Sequence, residues 1–194
     1  MKNQAMAFGL VALLGTVGCG GSTNLCGSML NCISVNKGAS EVEVKTAFAE
    51  AIDGTTILFG EGTFKLTAQL GVSKPNVTIK GISREKTILD FASSAAGQDG
   101  IHVETSGKFT VENLTVLDAP ANSIKVLGAK GVTMRHVGGV WTKIAATSNG
   151  RYALYPVQSE DVLIEDSYAK GSSDAGIYVG QCKNAIVRRN KAEG

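Results

Sequence analysis

Residues 101–112 read IHVETSGKFTVE, and the same pattern returns as IKVLGAKGVTMR at 124–135, LYPVQSEDVLIE at 154–165 and IYVGQCKNAIVR at 177–188. The starts of these segments are 23, 30 and 23 residues apart. In each segment, the first apolar residue is followed by a second apolar stretch centred ten residues later. Short alternating strands at a fixed long period are typical of a solenoid, in which each coil pairs with the next.

An earlier segment, Val77-Thr-Ile-Lys80, belongs to the same series, because Ile79 aligns with Val111. A coil of about 23 residues with two or three short strands and glycine-rich corners predicts an all-β fold, a right-handed parallel β-helix over residues 54–194. Leucine-rich repeats have a similar period, but their leucine and asparagine consensus is missing here.

Two insertions interrupt the period. One adds nine residues before Ile101, and the other adds seven residues before Leu154. Both lengthen the same half of the coil, so we expect two loops that protrude from one side. Insertions on one face of a solenoid often form its binding surface, and the candidate site is therefore sought there.

One outward column of the predicted coils carries charges of alternating sign: Lys80, Glu112, Arg135, Glu165 and Arg188. Rungs lie about 4.8 Å apart, so opposite charges are stacked and each pair contributes about 0.2–1 kcal/mol. We interpret this column as a surface that sets the register and not as a functional site. The neighbouring Asn113, His136 and Asp166 are predicted corner residues.

Residues 1–19 have the organisation of an export signal. Lys2 precedes an apolar stretch over residues 5–18, which is too short to span a membrane stably. The position of Cys19 directly after Gly18 resembles the cleavage box of bacterial lipoproteins, in which this thiol is lipidated.

This resemblance implies a membrane-anchored protein of the bacterial cell envelope. The residue after Cys19 is Gly20 and not Asp. This resembles the default sorting signal that sends such lipoproteins to the outer membrane, where they face the periplasm or the exterior. Thr16 stands where that family prefers Leu, so an ordinary cleaved signal is the alternative.

Residues 20–40 are predicted to form a linker and residues 41–53 an amphipathic helix that caps the first coil. Val44, Phe48 and Ile52 recur at every fourth position of this helix, and Gly54 follows it. No comparable cap follows the last predicted strand, so we expect further coils after Gly194.

Three cysteines remain if Cys19 carries lipid. Cys26 and Cys32 are close enough in sequence to form a disulfide in an oxidising compartment, and Cys182 is then expected to be free and partly buried. No histidine or second cysteine pair accompanies them, so no metal site is predicted.

The composition excludes several classes of partner. With 19 Lys and Arg against 17 Asp and Glu, the net charge is only +2, and no concentrated basic face for nucleic acid is present. An apolar content of 43% excludes low-complexity disorder.

The outward residues of the strands beside the insertions predict a saccharide groove. They form the column His102, Lys125, Tyr155 and Tyr178, and the second insertion adds Trp141, Lys143, Arg151 and Tyr152. Asp99, Asp118 and Asp174 lie in the loops that lead into these strands. Aromatic faces stack on sugar rings and cations pair with uronate carboxylates, so an acidic polysaccharide is the predicted partner. The alternative is a column of solvated strand residues without a ligand.

The residues leave open whether the protein is catalytic. If it is a polysaccharide lyase, epimerase or glycoside hydrolase, Lys125 or Tyr155 transfers the proton, Arg151 holds the substrate carboxylate and Asp174 is an acid or a cation ligand. His102, Trp141, Tyr152 and Tyr178 would then bind substrate. No cofactor is identified, although a lyase would call for Ca²⁺.

The segments Gly54-Thr-Thr-Ile-Leu-Phe-Gly60, Asn76-Val-Thr-Ile-Lys-Gly81 and Lys86-Thr-Ile-Leu-Asp-Phe91 resemble the opening coils of pectin-lyase-like β-helix proteins. Later coils, such as Ser173-Asp-Ala-Gly-Ile-Tyr-Val-Gly-Gln181, are similar to NosD-like and sugar-hydrolase β-helix repeat lipoproteins. The resemblance implies the fold over residues 54–194. It implies no reaction, because the Asp-Pro-His-Glu, Gly-His-Gly and Arg-Ile-Lys patterns of enzymes with this fold do not occur.

Two functions are therefore weighed. The first is an exported, lipid-anchored β-helix that binds an acidic polysaccharide. If the protein is an enzyme, it also processes this polymer. The second is a non-catalytic scaffold or adhesion protein of the cell surface or periplasm.

Overall fold

The computed structural model describes residues 24–144 and 146–194, which form one helix and fifteen strands. In chain order these are β1 (Cys32–Val35), α1 (Glu41–Ala49), β2 (Thr56–Phe59), β3 (Gly62–Lys65), β4 (Leu70–Val72), β5 (Val77–Lys80), β6 (Thr87–Asp90), β7 (Ile101–Glu104), β8 (Phe109–Leu117), β9 (Ile124–Leu127), β10 (Lys130–Val140), β11 (Leu154–Val157), β12 (Glu160–Glu165), β13 (Tyr168–Lys170), β14 (Lys183–Arg188) and β15 (Lys191–Glu193).

The strands form two sheets whose strand pairs are all parallel within the described chain. Sheet B contains β4, β7, β9 and β11, and sheet A contains the other eleven strands. Each coil passes once through sheet B and then along sheet A. Parallel connections of this kind are right-handed. The predicted fold class, a right-handed parallel β-helix, is confirmed.

The register follows the repeat that the sequence shows. Ile101 pairs with Ile124, Ile124 with Leu154, and an isolated bridge joins Leu154 to Ile177. The first three of these residues are fully buried, as are Val111, Met134 and Ile164 on sheet A. Apolar residues at alternate positions therefore fill the inside of the coil, while their neighbours point outward.

A left-handed residue bends the chain at the same corner of successive coils. Asn113, His136, Asp166 and Arg189 have φ values of 58°, 51°, 52° and 54°. The predicted corner positions are confirmed at the first three. Asn and Asp accept this conformation more readily than most residues, so β8 and β10 turn the corner without losing their pairing.

The two insertions differ from the prediction in one respect. The chain uses five more residues from β5 to β6 than at the equivalent corner inside β8, and four more from β6 to β7 than from β8 to β9. The nine residues thus divide between two corners, which corrects the prediction of a single loop. The seven residues of the second insertion all lie between β10 and β11, as predicted.

The capping helix is shorter than the predicted 41–53. It ends at Ala49, and the Thr55 hydroxyl accepts the backbone N–H of Ile52 as the chain turns towards β2. Ile52 is 59% exposed and so does not pack on the core, whereas Val44 and Phe48 do. At its start, the Ser40 hydroxyl accepts the Glu43 backbone N–H and the Glu43 carboxylate accepts the Ser40 N–H, a capping box that fixes where the helix begins.

The segment predicted as a linker contains a strand. β1 pairs with β2 along its whole length, from Cys32 opposite Thr56 to Val35 opposite Phe59, so it opens sheet A. The predicted pair Cys26 and Cys32 forms a disulfide with Cα atoms 5.7 Å apart. Cys182 is a free, half-buried thiol, as predicted.

The predicted charge column is present on sheet A. Glu112 lies 3.5 Å from Lys80 Nζ and 3.3 Å from Arg135 Nη1 on the adjacent coils. Glu165 lies between Arg135 and Arg188, with both N–O distances at 2.7 Å. Hydrogen bonds from these two arginines lower the pKa of Glu165 to about 2.

The predicted signal segment and the lipidation candidate Cys19 lie outside the described residues. Within residues 24–144 and 146–194, no helix is both long and apolar enough to cross a membrane.

Candidate functional site

The predicted outward column is a straight row on sheet B. Strand register places His102 of β7 beside Lys125 of β9, and Lys125 beside Tyr155 of β11. The bridges on either side of Tyr178 place it next to Tyr155 on the following coil. The row also extends one rung in the other direction, where Gly71 of β4 pairs with His102.

Three tyrosine rings form a cluster at one end of this row. Ring centroids of Tyr152 and Tyr178 are 4.8 Å apart with planes 21° from parallel. The Tyr155 ring lies 4.7 Å from Tyr152 and 5.4 Å from Tyr178. Tyr178 is 44% exposed, and the other two rings are half-buried. The second insertion thus delivers Tyr152 to the row, as predicted.

A cation and a carboxylate flank the tyrosine cluster, formed by Tyr152, Tyr155 and Tyr178. Lys125 Nζ lies 5.9 Å from the centroid of the Tyr155 ring, within range of a cation–π contact. The Tyr152 hydroxyl donates a hydrogen bond of 3.3 Å to Asp174. Burial raises the pKa of the Tyr152 phenol, and the negative charge of Asp174 raises it further.

His102 is held by a carboxylate that the sequence placed only in a loop. Its Nδ1 lies 2.7 Å from Oδ2 of Asp99, which is 6% exposed. The other oxygen, Oδ1, accepts hydrogen bonds from the backbone N–H and the side-chain amide of Asn122, at 3.1 and 2.7 Å. In the sequence, this pair could have been found from the spacing, because Asp99 stands three residues before His102 and just before β7 begins.

Trp141 is not part of the exposed surface, which corrects its prediction as a substrate-binding residue. The side chain is 3% exposed and packs in the core. Its indole N–H donates a 2.8 Å hydrogen bond to the Ala119 carbonyl. The indole therefore packs inside the coil with its one polar atom satisfied.

One comparison with known proteins agrees with this architecture. Residues 99–194 match the family described as Right handed beta helix region. The match covers the second half of the chain and agrees with the parallel β-helix that the strands form. No curated protein and no solved structure matches the chain. The match covers the row from His102 to Tyr178, together with Asp99 and Asn122.

The remaining candidates lie on the second insertion. Arg151 is exposed and lines a cleft of about 290 Å³ with Asn122 and Ser173. Lys143 lines a neighbouring cleft of about 300 Å³ beside Asp118, whose carboxylate accepts the Thr142 N–H and hydroxyl. The structure therefore brings Lys125, Tyr152, Tyr155 and Tyr178 together, with Arg151 and Lys143 on adjacent parts of the surface.

Metal ligands do not gather in the described part of this β-helix protein. No group of three His, Cys, Asp or Glu side chains is placed to hold an ion there. Calcium binding stays a prediction that depends on lyase chemistry.

Proposed function

We propose that this protein is an exported, lipid-anchored β-helix that binds an acidic polysaccharide along the outer face of sheet B. The observation that carries the proposal is the tyrosine cluster beside Lys125, on consecutive rungs of one row. Aromatic rings next to a cation, on an accessible face, suit a ligand with both apolar ring faces and negative charge.

The geometry of the row favours a linear ligand. Strands repeat about every 4.8 Å along the axis, so a polymer that lies parallel to the axis meets one outward side chain per rung. The rings of Tyr155 and Tyr178 offer apolar faces for sugar rings. Their hydroxyl groups and the Lys125 ammonium offer hydrogen bonds to the substituents.

The charges favour uronate over neutral sugar. Lys125 and Arg151 are the cations of this surface, and neither has an ion pair with a described residue. The two nearby carboxylates are already engaged, Asp99 by His102 and Asn122, and Asp174 by Tyr152. A carboxylate of the ligand therefore finds two cations that have no ion pair with a described residue.

Binding is tested with the full chain and homopolymers of galacturonate, mannuronate and guluronate, with glucose and mannose polymers as uncharged controls. Tyr155→Ala and Lys125→Ala are expected to weaken uronate binding about tenfold each, which corresponds to about 1.4 kcal/mol. Tyr168→Ala and Lys130→Ala are matched controls, because both residues lie on sheet A. Unchanged binding in both sheet B variants would exclude the groove and favour the scaffold function.

Lipid anchoring rests on Cys19 and the residues before it, and it has a separate test. Cys19→Ala is expected to release the protein from the membrane fraction, whereas Cys182→Ala is expected to leave it there. If the Cys19→Ala protein fractionates with the membrane as the native protein does, the anchor is excluded.

A further inference from the structure

The outward row of sheet B has an empty position at Gly71. This residue pairs with His102 and so occupies the rung next to it. A Cβ atom built on Gly71 meets no atom within 4 Å, and its backbone is not in the left-handed region. Neither packing nor backbone conformation therefore requires glycine. The position is open to solvent and borders a cleft of about 330 Å³ between β4 and α1.

The ring of His102 is oriented beside this open position. Carboxylate oxygens accept hydrogen bonds, so the 2.7 Å contact to Asp99 fixes the hydrogen of the imidazole on Nδ1. In the neutral ring the opposite nitrogen, Nε2, then carries a lone pair and accepts a hydrogen bond. A quarter of the His102 side chain is exposed, so the side chain is accessible to a ligand.

The support for His102 is itself rigid. Asp99 is almost fully buried and belongs to the same coil as His102, while Asn122, which donates two hydrogen bonds to it, belongs to the next coil. The backbone N–H of Asp99 is bound by the side-chain oxygen of Gln69, on the coil before. Three coils thus hold one imidazole in one orientation, which favours a hydrogen bond of defined direction.

We propose that Gly71 and His102 form a terminal saccharide subsite, an inference that rests on the proposed polysaccharide binding. The sugar ring occupies the space over Gly71, and one of its hydroxyl groups donates a hydrogen bond to His102 Nε2. Lys125 and the tyrosine cluster hold the sugars that follow. From Gly71 to Tyr178 the row covers four rung steps, about 19 Å, so only oligosaccharides long enough to span it fill the subsite.

The test compares oligogalacturonates and oligoguluronates of three to eight sugars on the wild-type protein and on Gly71→Ile. Isoleucine suits a strand and offers no ring face to a sugar, so it fills the space without creating a new stacking surface. We expect wild-type affinity to rise with length and then level off. In Gly71→Ile the affinity levels off at a shorter length, and the longest oligomer binds about tenfold more weakly. Thr63→Ile, which places the same side chain at an exposed position of β3 on sheet A, is the control and is expected to behave as wild type.

A second measurement concerns His102 directly. Two-bond ¹H–¹⁵N spectra of the histidine rings are expected to show Nδ1 protonated and Nε2 unprotonated for His102, with His136 as the internal comparison. A hydrogen on Nε2 would overturn the acceptor role.

Wild-type length dependence in Gly71→Ile would overturn the subsite, while loss of binding in Tyr155→Ala would leave the proposed function intact. Wild-type binding in both Tyr155→Ala and Lys125→Ala would instead overturn the proposed function itself.

Discussion

Glu165 Oε1 lies 2.7 Å from Arg135 Nε on the preceding coil, and only 5% of the glutamate side chain is exposed. Its other oxygen, Oε2, meets Arg188 and Arg189 on the following coil at 2.7 and 2.8 Å. One carboxylate therefore joins three consecutive coils. Solenoids depend on contacts between neighbouring coils, so this side chain has more effect on stability than an isolated surface ion pair.

Glu165→Gln is expected to lower the midpoint of thermal unfolding by several degrees. The amide keeps the size of the side chain but removes the charge that three arginines share. Arg135 and Arg189 keep Glu112 and Asp166 as partners, whereas Arg188 loses its carboxylate. Glu160→Gln is the matched control, because Glu160 lies on the same strand, its side chain is 43% exposed, and its one ion pair with a described residue is to Lys183. Equal midpoints for the two variants, measured by circular dichroism, would contradict this expectation.

Acid is expected to remove the contribution of Glu165. Its pKa is about 2 in the folded protein and about 4.5 in the unfolded chain, so the folded state favours the ionised form. The stabilisation is complete above pH 4.5 and is lost as the pH falls from 4.5 towards 2. Urea unfolding of wild type and Glu165→Gln should therefore give a difference in stability at pH 7 that shrinks across this window. A constant difference would show that the carboxylate does not titrate in this way.

Trp141 is expected to report on the core and not on the ligand. It is the only tryptophan, and its burial predicts an emission maximum at short wavelength that acrylamide quenches weakly. Uronate oligomers should leave the emission unchanged. Trp141→Ala is expected to cost about 3–5 kcal/mol of unfolding free energy, as removal of a buried aromatic ring does. A large emission change on titration with oligomer would restore Trp141 to the binding surface.

The catalytic roles assigned to Lys125, Tyr155, Arg151 and Asp174 remain predictions from the sequence. If a lyase reaction takes place, wild-type protein with uronate polymer produces an absorbance increase at the band of unsaturated uronate, and Lys125→Ala or Tyr155→Phe abolishes it. Asp118→Asn is a control on the neighbouring cleft. No absorbance change with wild-type protein, with and without added Ca²⁺, excludes lyase chemistry for this chain.

The coils could be predicted from the sequence because strands of adjacent coils pair in register, and this pairing makes the apolar residues recur at a fixed spacing. The constant separation from Ile101 to Val111 is repeated in every later coil, and the register in the structure follows it. The column of His102, Lys125, Tyr155 and Tyr178 was predictable for the same reason, since a period of two decides which residues point outward.

Features that depend on the path of a loop were not predictable. Total length does not reveal at which corner an insertion leaves the coil, so the division of the first insertion was missed. The burial of Trp141 depends on where the Ala119 carbonyl lies, and the end of α1 depends on a hydrogen bond from Ile52 to Thr55. The first contact joins residues 22 positions apart, and the second is a local turn that apolar periodicity does not report.

The identical spacing of successive coils has a consequence for how such chains change in length. Residues 101–112 and 124–135 differ by 23 positions and lie in register, so removal or duplication of one such unit leaves the neighbouring strands with equivalent partners. The groove on sheet B then becomes shorter or longer by one rung. The number of sugars that it accommodates would thus change in whole steps, through recombination between repeats instead of through gradual remodelling of a pocket.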